Sequence, residues 1–380
     1  MRIIQLLAGT GQGGADRVAI ALGDGLRQRG HEAVFAVNPE FLKFQTAVAQ
    51  AHPCWPIHRF RGLPWRELRE FKRRATSFDV VMTHDSGGRH FSIWAKLSGL
   101  RPPVWFVRHC ISGTTRFGGV QLHRLVTDHQ IAVSDIIARG LLKSGFPQDR
   151  VTRIHGGIDL APFRQPDPQR VNAVRQQLLA KLPPETVIVG MVARLHLGKD
   201  WRADKPDFKG YDVLFRALAQ ARFPWRVLAL GPSRPVDHDA VRQIARHNGA
   251  DPERIIFAGF VDEPSAHYAV MHINVLPSRN EGLGLAVIES MASGIPTIGS
   301  RGGGIVEIIQ DNQSGLLFEE GNSEELRQQL EHLVADSELR MRLSQGGRKR
   351  AVKAFDASVM VTAFEELMKR KLGPRARATE

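Results

Sequence analysis

Residues 277–292 carry the arrangement of side chains best suited to chemistry. Two glutamates, Glu281 and Glu289, have seven residues between them, and two of these are glycine. An apolar run typical of a buried strand precedes the segment, and an apolar helix pattern begins at Leu285. The first N–H groups of a helix lack intrahelical acceptors and carry the positive end of its dipole, which suits a diphosphate. The two carboxylates could then bind hydroxyl groups on either side of that diphosphate.

Each glutamate alone has a simpler structural interpretation. Glu281 could complement the helix dipole, and Glu289 could be a solvated helix residue. The complete string of strand, glycine-rich loop and helix favours the ligand-binding interpretation over these two.

A second glycine-rich loop lies near the N-terminus. Gly9, Gly11 and Gly14 match G-x-G-x-x-G between a strand pattern and a helix pattern, a context in which phosphates can approach backbone N–H groups. A dinucleotide site would also need an acid at the end of the second strand, where Asn38 stands. An NAD-type Rossmann oxidoreductase is therefore a less favoured alternative, and a simple tight turn is another.

Strand and helix patterns alternate through most of the chain, which predicts an α/β protein with parallel sheets. One sheet with so many strands would be unusually wide, so two doubly wound domains are expected. The boundary is placed in segment 159–167, which contains two prolines. Strands are predicted over residues 3–8, 33–37, 80–83, 104–108 and 130–133, and then over 187–193, 227–230, 255–258, 273–276 and 297–299.

Composition narrows the class of protein. The 380 residues are 42% hydrophobic and 24% charged, which excludes disordered, collagen-like and disulfide-framework classes. The net charge of +13 favours anionic partners. The two cysteines, Cys54 and Cys110, stand in no metal-binding array. A short N-terminal apolar run and the lack of an 18-residue apolar stretch lead us to expect a cytoplasmic protein.

The string at 277–292 resembles the E-x7-E motif of the retaining, nucleotide-sugar-dependent glycosyltransferases of family 4. Other segments are also similar to motifs of that family, which includes enzymes of cell-surface glycolipid and lipopolysaccharide assembly. They are the GGAER-like residues 13–17, the N-G-x-D-like residues 156–159, the G-R-L-like residues 193–195, the K-G at 209–210 and the F-x-G at 257–259. The resemblance thus extends along most of the chain.

The resemblance implies the GT-B fold, in which two Rossmann-like domains face each other across a cleft. We therefore expect an acceptor-side domain over residues 1–165 and a donor domain over residues 166–355. Residues 356–380 are expected to form a C-terminal helix that crosses back to the first domain.

The resemblance also implies a role for each matching residue. Arg194 and a nearby lysine would bind the donor diphosphate and stabilise it as the leaving group. Glu289 would hold the ribose hydroxyls, and Glu281 with its loop would hold the donor sugar. His109 matches a family histidine near the transferred sugar. Further donor-binding positions are Gly13, Gly14, Asp16, Gly282, Leu283, Gly284 and Leu285.

Two lysines compete for the cationic position beside the diphosphate. Lys199 keeps the family spacing from Arg194, whereas Lys209 keeps the following glycine and the helix pattern after it. Lys209 is favoured, which makes residues 195–208 an inserted loop, and Lys199 stays as the alternative. Asp16 stands where the family more often has glutamate.

The resemblance implies transfer from a nucleotide-diphosphate sugar, with a UDP-sugar favoured and a GDP-sugar next, to a hydroxyl of a glycolipid or polysaccharide. Arg194, Lys209 and the helix N-terminus would stabilise the charge on the leaving diphosphate. No aspartate-rich metal motif is present in the sequence, so no metal or other cofactor is expected. We expect front-side attack with retention, because no second carboxylate suited to be a nucleophile is found.

Segment 58–74, from His58 to Arg74, is basic and contains interleaved aromatic and aliphatic residues. A solvated helix face is the ordinary explanation of such a run. Its Trp65, Leu68 and Phe71 raise the alternative of an interfacial helix on anionic lipid at the inner face of the cytoplasmic membrane. A basic nucleic-acid-binding protein is the alternative from another class. No nucleic acid is expected as a partner, however, because the sequence lacks any recognition motif for it.

Overall fold

The structure, a computed structural model, describes residues 1–60, 64–111, 119–195, 202, 206–261 and 263–373. The chain forms two compact units. The first comprises Met1–Asp159 and the C-terminal segment that begins at Phe355, and the second comprises Leu160–Ala354. The chain leaves the first unit inside the proline-containing segment 159–167.

Within the described residues, the first unit is built on a parallel sheet of seven strands in the order β3-β2-β1-β4-β5-β6-β7. The strands are β1 (Arg2–Leu7), β2 (Glu32–Val37), β3 (Cys54–Pro56), β4 (Val80–Thr83), β5 (Val104–Arg108), β6 (His129–Ala132) and β7 (Val151–Arg153). The helices between them are α1 (Gly14–Gln28), α2 (Pro39–Phe44), α3 (Thr46–Ala51), α4 (Trp65–Ala75), α5 (Ser86–Leu97), α6 (Gly119–Val126) and α7 (Asp135–Lys143). The aliphatic side chains of β1 are fully buried, as expected of a central parallel strand.

The second unit has a parallel sheet of six described strands in the order β10-β9-β8-β11-β12-β13. These are β8 (Val187–Val192), β9 (Trp225–Leu230), β10 (Ile255–Gly259), β11 (Ile273–Leu276), β12 (Thr297–Ser300) and β13 (Leu316–Phe318). Its helices are α8 (Ala161–Arg164), α9 (Pro168–Leu179), α10 (Tyr211–Ala219), α11 (Pro235–His247), α12 (Ser265–Tyr268), α13 (Leu285–Ala292), α14 (Ile305–Ile308), α15 (Ser323–Ala335) and α16 (Ser337–Phe355). Aliphatic residues of β8, β9 and β11 pack with α10 and α15 in one core.

The last helix, α17 (Ala357–Leu372), belongs to the first unit and packs on α1. Gly25 allows the close approach, because a Cβ there would lie 2.4 Å from a methyl carbon of Val361. Glu365 accepts hydrogen bonds of 2.7 Å from both Arg29 and His31. The helix α17 is therefore held against α1 by close packing at Val361 and by the hydrogen bonds of Glu365.

The two parallel α/β sheets confirm the predicted fold class. Each predicted strand is present with its ends shifted by at most two residues. The strands β3, β7 and β13 were not predicted. Of the helices that the structure describes, none has both the length and the apolar character needed to cross a bilayer.

Buried histidines of the first unit should make the protein less stable in acid. Burial lowers the pKa of His109 to about 3 and the pKa of His129 to about 4. The unfolded chain starts to bind these protons near pH 6.5, whereas the folded chain does not. The free energy of unfolding should therefore fall as the pH drops below about 6.5, by about 2 kcal/mol for each such histidine at pH 5.

Urea unfolding at pH 7.5 and at pH 5 measures this effect. The variant His129→Gln should lose less stability between the two pH values than the wild type, because one proton-binding group is gone. An equal loss in both proteins would contradict the assignment to His129.

Candidate functional site

In the sheet of the second unit, the strand order reverses at β8. The chain runs from β8 to β9 and β10 on one side, and then returns to β11 on the other side. Ligands of open α/β sheets bind beyond the carboxyl ends of the strands at such a point. Arg194 follows β8, and residues 277–284 join β11 to α13. The predicted donor-binding residues of this unit therefore lie along the expected edge of the sheet.

A lysine and a glutamate from two different connections meet at this edge. Nζ of Lys209, which lies shortly before α10, is 2.8 Å from Oε2 of Glu281 in the loop before α13. Their side chains are 22% and 19% exposed, so a ligand can reach both. The fold thus brings together two predicted site residues that are 72 positions apart.

Arg279 ties the two connections together. Its guanidinium donates two hydrogen bonds of 2.9 Å to the carboxylate of Asp212 in α10, and its backbone N–H donates to the carbonyl of Phe208. Gly210 has φ +79°, and a Cβ there would lie 2.1 Å from the carbonyl oxygen of Pro277. Only glycine permits this contact. The relative position of Lys209 and Glu281 is therefore set by backbone and side-chain contacts together.

Asp207 organises the backbone around Lys209. Its carboxylate accepts hydrogen bonds from the N–H groups of Lys209, Gly210 and Asp212, at 2.8, 2.8 and 3.0 Å. Burial, with the nearby Asp212 carboxyl, raises the pKa of Asp207 to about 6. Burial opposes ionisation of Asp212 as well, but the hydrogen bonds from Arg279 and Asp207 hold the pKa of Asp212 below its usual value. The ion pair of Asp212 with Arg279 is thus retained at neutral pH.

Removing Arg279 should destabilise the second unit. The Asp212 side chain is 7% exposed, so Arg279→Met leaves a buried carboxylate without its bidentate partner. We expect the free energy of unfolding to fall by about 3 kcal/mol, measured by urea denaturation. The double variant Asp212→Asn/Arg279→Met should recover part of this loss, because no unpaired charge remains. A loss below about 1 kcal/mol in the single variant would show that the pair is not structural.

The N-terminus of α13 follows the Glu281 loop directly. Gly284 caps the helix with φ +101°. Gly282 and Leu283 are buried, while Leu285 is half-buried at the first position of the helix. A second loop supports this one: the N–H of Gly304 donates to the carbonyl of Glu281 at 2.7 Å.

Glu289 lies in the second turn of α13 and is only 2% exposed. The hydroxyl of Tyr268, from α12, donates to its Oε2 at 2.9 Å. The same oxygen of Tyr268 lies 3.2 Å from the carbonyl of Ala286. Tyr268 therefore fixes the carboxylate of Glu289 relative to the start of α13, where a ligand's hydroxyl groups could bind it.

Arg194 is exposed and is the second residue after the end of β8. It has no hydrogen-bond or ion-pair partner among the described residues, so its guanidinium is available to an anionic ligand. The competing lysine, Lys199, lies outside the described residues, and so does most of the predicted insertion 195–208.

In the first unit, a carboxylate occupies the N-terminal glycine-rich loop, residues 9–14. Oδ2 of Asp85, from the end of β4, accepts hydrogen bonds from the N–H groups of Ala8 and Gly9 at 2.6 and 3.0 Å. Its Oδ1 accepts from Gly88 at 2.7 Å and so caps α5. The N–H groups of Ala8 and Gly9 are therefore already satisfied without a phosphate.

The second half of that loop leads into α1. Gly13 is the N-cap of α1, and its N–H donates to Oδ2 of Asp16 at 3.0 Å. Asp16 is buried, whereas Gly14 is exposed at the first position of the helix. The structure therefore gives Asp16 a capping contact and leaves Gly13 and Gly14 as the accessible part of the loop.

His109 follows β5 and contacts a second histidine. Its Nε2 lies 3.1 Å from Nδ1 of His84, at the end of β4. Burial lowers the pKa of both imidazoles, so they are neutral at pH 7. His109 is thus held on the first unit at the carboxyl ends of the strands.

The basic segment 58–74 divides into two parts. His58 and Arg59 line a cavity of about 580 Å³ in the first unit, together with Gly9, Asn38 and Asp85. Residues 61–63 lie outside the described residues, and α4 begins at Trp65. Leu68 and Phe71 of α4 are buried, while Trp65 is 64% exposed. The segment is therefore not one continuous amphipathic helix.

Several residues that contact the predicted site residues of one unit or the other were not predicted. Tyr268, Asp207, Arg279, His84 and Asp85 contribute contacts that only the fold reveals. A signal existed for Asp85, because an aspartate followed by Ser-Gly-Gly after a strand pattern is a typical helix N-cap. The carboxylate of Asp207 also acts locally, on the N–H groups of Lys209, Gly210 and Asp212. Tyr268, Arg279 and His84 act across long sequence separations and have no local signature.

Both halves of the chain match models of glycosyltransferase families. Residues 12–162 match the model described as Glycosyltransferase Family 4, and residues 195–336 match the model described as Glycosyl transferases group 1. Together the two matched segments cover well over half of the chain.

Individual proteins give similar results. The lipopolysaccharide core biosynthesis glycosyltransferase LpsE of Rhizobium meliloti is 30% identical over 164 residues, 43% of this chain and 47% of its own. N-acetyl-alpha-D-glucosaminyl L-malate synthase of Bacillus anthracis is 32% identical over 115 residues, 30% of each chain. The chain spans about half the length of the curated relatives it matches, or less.

A solved structure shares the fold over nearly the whole chain. HepE of Anabaena, crystallised in complex with UDP and glucose, superposes with a TM-score of 0.81 and covers 97% of this chain and 99% of its own, at 21% identity. The chain therefore has the GT-B fold, and it carries glycosyltransferase domains of family 4 in its first half and of group 1 in its second half.

Proposed function

We propose that the protein transfers a sugar from a nucleoside-diphosphate sugar to a hydroxyl group of a glycolipid or polysaccharide. A UDP-sugar is the favoured donor and a GDP-sugar the next. The observation that carries the proposal is the contact of Lys209 with Glu281 beside the N-terminus of α13, at the switch point of the second sheet. The donor would bind mainly to the second unit and the acceptor to the first.

The proposed chemistry depends on stabilising the leaving group. Breaking the bond between the anomeric carbon and the phosphate oxygen leaves negative charge on the diphosphate. Lys209, the exposed Arg194 and the first N–H groups of α13 are available to stabilise that charge, and such electrostatic stabilisation usually contributes most to the rate of reactions of this kind. No metal or other cofactor is part of the proposal.

The proposed course is retention by front-side attack. The acceptor oxygen forms the new bond to the anomeric carbon while the phosphate oxygen departs from the same face. The proton of the acceptor hydroxyl passes to the departing phosphate oxygen. This part of the proposal is supported by the resemblance to family 4, and product anomer analysis by NMR tests it directly.

Binding of nucleotides by the purified chain tests the donor site. A thermal-shift panel would contain UDP, GDP, ADP and NAD, each with magnesium and with a chelator. We expect a clear rise in Tm with UDP or GDP that does not require magnesium, because Arg194 and Lys209 supply the positive charge. A rise with NAD alone, or with none of the four, would contradict the proposal.

The NAD-type alternative is disfavoured by Asp85. Its carboxylate bonds the N–H groups of Ala8 and Gly9, which a dinucleotide pyrophosphate would need. A nucleic-acid partner is also not proposed, since the proposed phosphate and membrane contacts would account for the basic composition.

We further propose that the first unit docks on an anionic membrane at the cytoplasmic face. Trp65 of α4, Leu97 of α5 and Leu125 of α6 are 64%, 56% and 82% exposed, and α5 packs against both α4 and α6. Arg66 and Arg69 are exposed on α4. Exposed apolar side chains next to arginines suit a surface with anionic headgroups.

Vesicle sedimentation tests this surface. Arg66→Gln/Arg69→Gln should weaken binding to phosphatidylethanolamine–phosphatidylglycerol vesicles about 30-fold, since each arginine contributes about 1 kcal/mol. Arg222→Gln/Arg246→Gln, a matched change of exposed arginines on the second unit, should have little effect. Equal binding to neutral phosphatidylcholine vesicles would contradict the electrostatic part of the proposal.

A further inference from the structure

A group of basic side chains lies together in the first unit, near the carboxyl ends of its strands. Arg108 is the last residue of β5, and Arg89 ends the first turn of α5. Their guanidinium carbons lie 5.1 and 5.5 Å from the centre of the same ring, that of Phe106 in β5. Two positive charges therefore share one aromatic neighbour. The roles proposed above use none of these three residues.

His123 of α6 belongs to the same group. The helix α6 packs on α5, and the His123 side chain is 8% exposed. Burial, together with the charges of Arg89, Arg108 and His90, lowers the pKa of His123 to about 4. Its imidazole is therefore neutral at pH 7, and Nδ1 has no hydrogen-bond partner among the described residues. A buried polar atom in this state costs free energy unless a ligand satisfies it.

The charge of Arg89 is not neutralised by a contacting carboxylate. Within the described part of the chain, its guanidinium forms no hydrogen bond and no ion pair. Asp85 attracts it electrostatically, but both carboxylate oxygens of Asp85 accept hydrogen bonds from backbone N–H groups. Burial lowers the pKa of Arg89, and it lowers the pKa of Arg108 to about 10. Since buried charges are usually paired, an anionic ligand is the expected partner of this group.

We infer that Arg89, Arg108 and His123 form a binding site for a phosphate monoester. A phosphate dianion has two charges and three terminal oxygens, which suits two guanidinium groups and one imidazole N–H. A carboxylate has one charge and two oxygens, and a single guanidinium can satisfy it. The location fits a ligand as well, because open α/β sheets bind ligands beyond the carboxyl ends of their strands, where Arg108 lies.

The phosphate is assigned to the acceptor. This step rests on the proposed function, in which the acceptor binds to the first unit and the donor to the second. The acceptor is then a molecule that carries a phosphate monoester as well as the hydroxyl group that receives the sugar. A soluble sugar phosphate and a lipid with a phosphate headgroup both have this chemistry.

Calorimetric titration with inorganic phosphate tests the site on the full chain. The titrations use the background Arg194→Gln/Lys209→Met, so that the cations proposed for the donor do not bind the probe. Phosphate should bind at least about tenfold more tightly than acetate. Arg89→Gln should raise the Kd for phosphate at least about tenfold, because a charged donor is lost. His123→Leu should raise it at least about threefold, because a neutral donor is lost.

Arg139→Gln is the matched control. Arg139 is an exposed arginine on α7 of the same unit, so its replacement should leave the Kd for phosphate within about twofold. Arg89 is only half-buried, so Arg89→Gln keeps the site testable even where the loss of buried His123 lowers the Tm.

Two further probes identify the source of the phosphate. Glucose 6-phosphate, compared with glucose, represents a soluble acceptor. Vesicles containing phosphatidic acid, compared with phosphatidylcholine vesicles, represent a lipid headgroup. Arg89→Gln should weaken binding of the probe that resembles the natural ligand and leave binding of the other unchanged.

The site and the acceptor role fail in different ways. An unchanged Kd for phosphate in both Arg89→Gln and His123→Leu would overturn the site, and so would equal binding of phosphate and acetate. A nucleotide panel without any response to UDP or GDP would overturn the proposed function and the assignment to an acceptor. Phosphate binding that is lost in Arg89→Gln would still establish the anion site in that case.

Discussion

Replacing Lys209 with methionine is expected to reduce sugar transfer by a factor of about 100 to 1000, the usual cost of removing one group that stabilises developing negative charge. Nζ of Lys209 lies 2.8 Å from Glu281 and beside the start of α13, where the diphosphate is proposed to bind. Methionine keeps most of the length of the side chain and removes its charge. The main loss should therefore appear in kcat, measured by release of the nucleoside diphosphate.

The same experiment decides between the two lysines. Lys199 keeps the family spacing from Arg194 and lies outside the described residues, whereas Lys209 contacts Glu281 at the switch point. Lys199→Met should therefore retain transfer within about threefold of wild type, whereas Lys209→Met loses it. Loss of transfer in Lys199→Met with normal turnover in Lys209→Met would assign the role to Lys199 and leave the rest of the site unchanged. A third variant, Lys181→Met, controls for removal of an exposed charge elsewhere on the second unit.

The fold could be predicted because apolar periodicity is strongest where burial is greatest. The central strands β1, β4, β8 and β11 have four to six residues that are mostly apolar, and each was predicted. The strands that were missed, β3, β7 and β13, have three residues each and lie at the edges of the two sheets. Three residues contain too little pattern to distinguish a strand from a loop, and edge strands are often short.

The candidate site could be predicted only in part, for a related reason. The resemblance to family 4 indicated Lys209 and Glu281 separately. Their contact depends on the bidentate hydrogen bond between Arg279 and Asp212, 67 positions apart, and on a glycine that tolerates close backbone contact. No local pattern encodes such contacts. They follow only when the sheet order brings the ends of β8 and β11 together.

The N-terminal glycine-rich loop, residues 9–14, shows that a matching motif can be misleading. Its G-x-G-x-x-G spacing is compatible with phosphate binding, yet the N–H groups of Ala8 and Gly9 are bonded to Asp85, which is 77 and 76 positions away. The motif indicates that the backbone can come close to a ligand. It does not indicate which side chain of the fold is hydrogen-bonded to the N–H groups of the loop. The sequence alone therefore could not exclude the dinucleotide alternative that Asp85 now disfavours.

The second large effect is expected from Glu281→Ala, which should reduce transfer about 100-fold by releasing both the donor sugar and the ammonium group of Lys209 from their positions. The fold should be little affected, because the ion pair is partly exposed and contributes at most about 1 kcal/mol to the free energy of unfolding. Glu338→Ala, a change of an exposed glutamate on α16, is the matched control and should keep full activity.

A double-mutant cycle then tests whether Glu281 and Lys209 act as one unit. Because the two side chains are in direct contact, their effects should not be additive, and Lys209→Met/Glu281→Ala should transfer sugar within about threefold of the slower single variant. Losses that multiply would mean that the two groups act independently, with the 2.8 Å contact irrelevant to transfer. Normal turnover in Glu281→Ala would remove this residue from the site altogether. The cycle thus distinguishes a shared role at the leaving group from two separate roles along the donor.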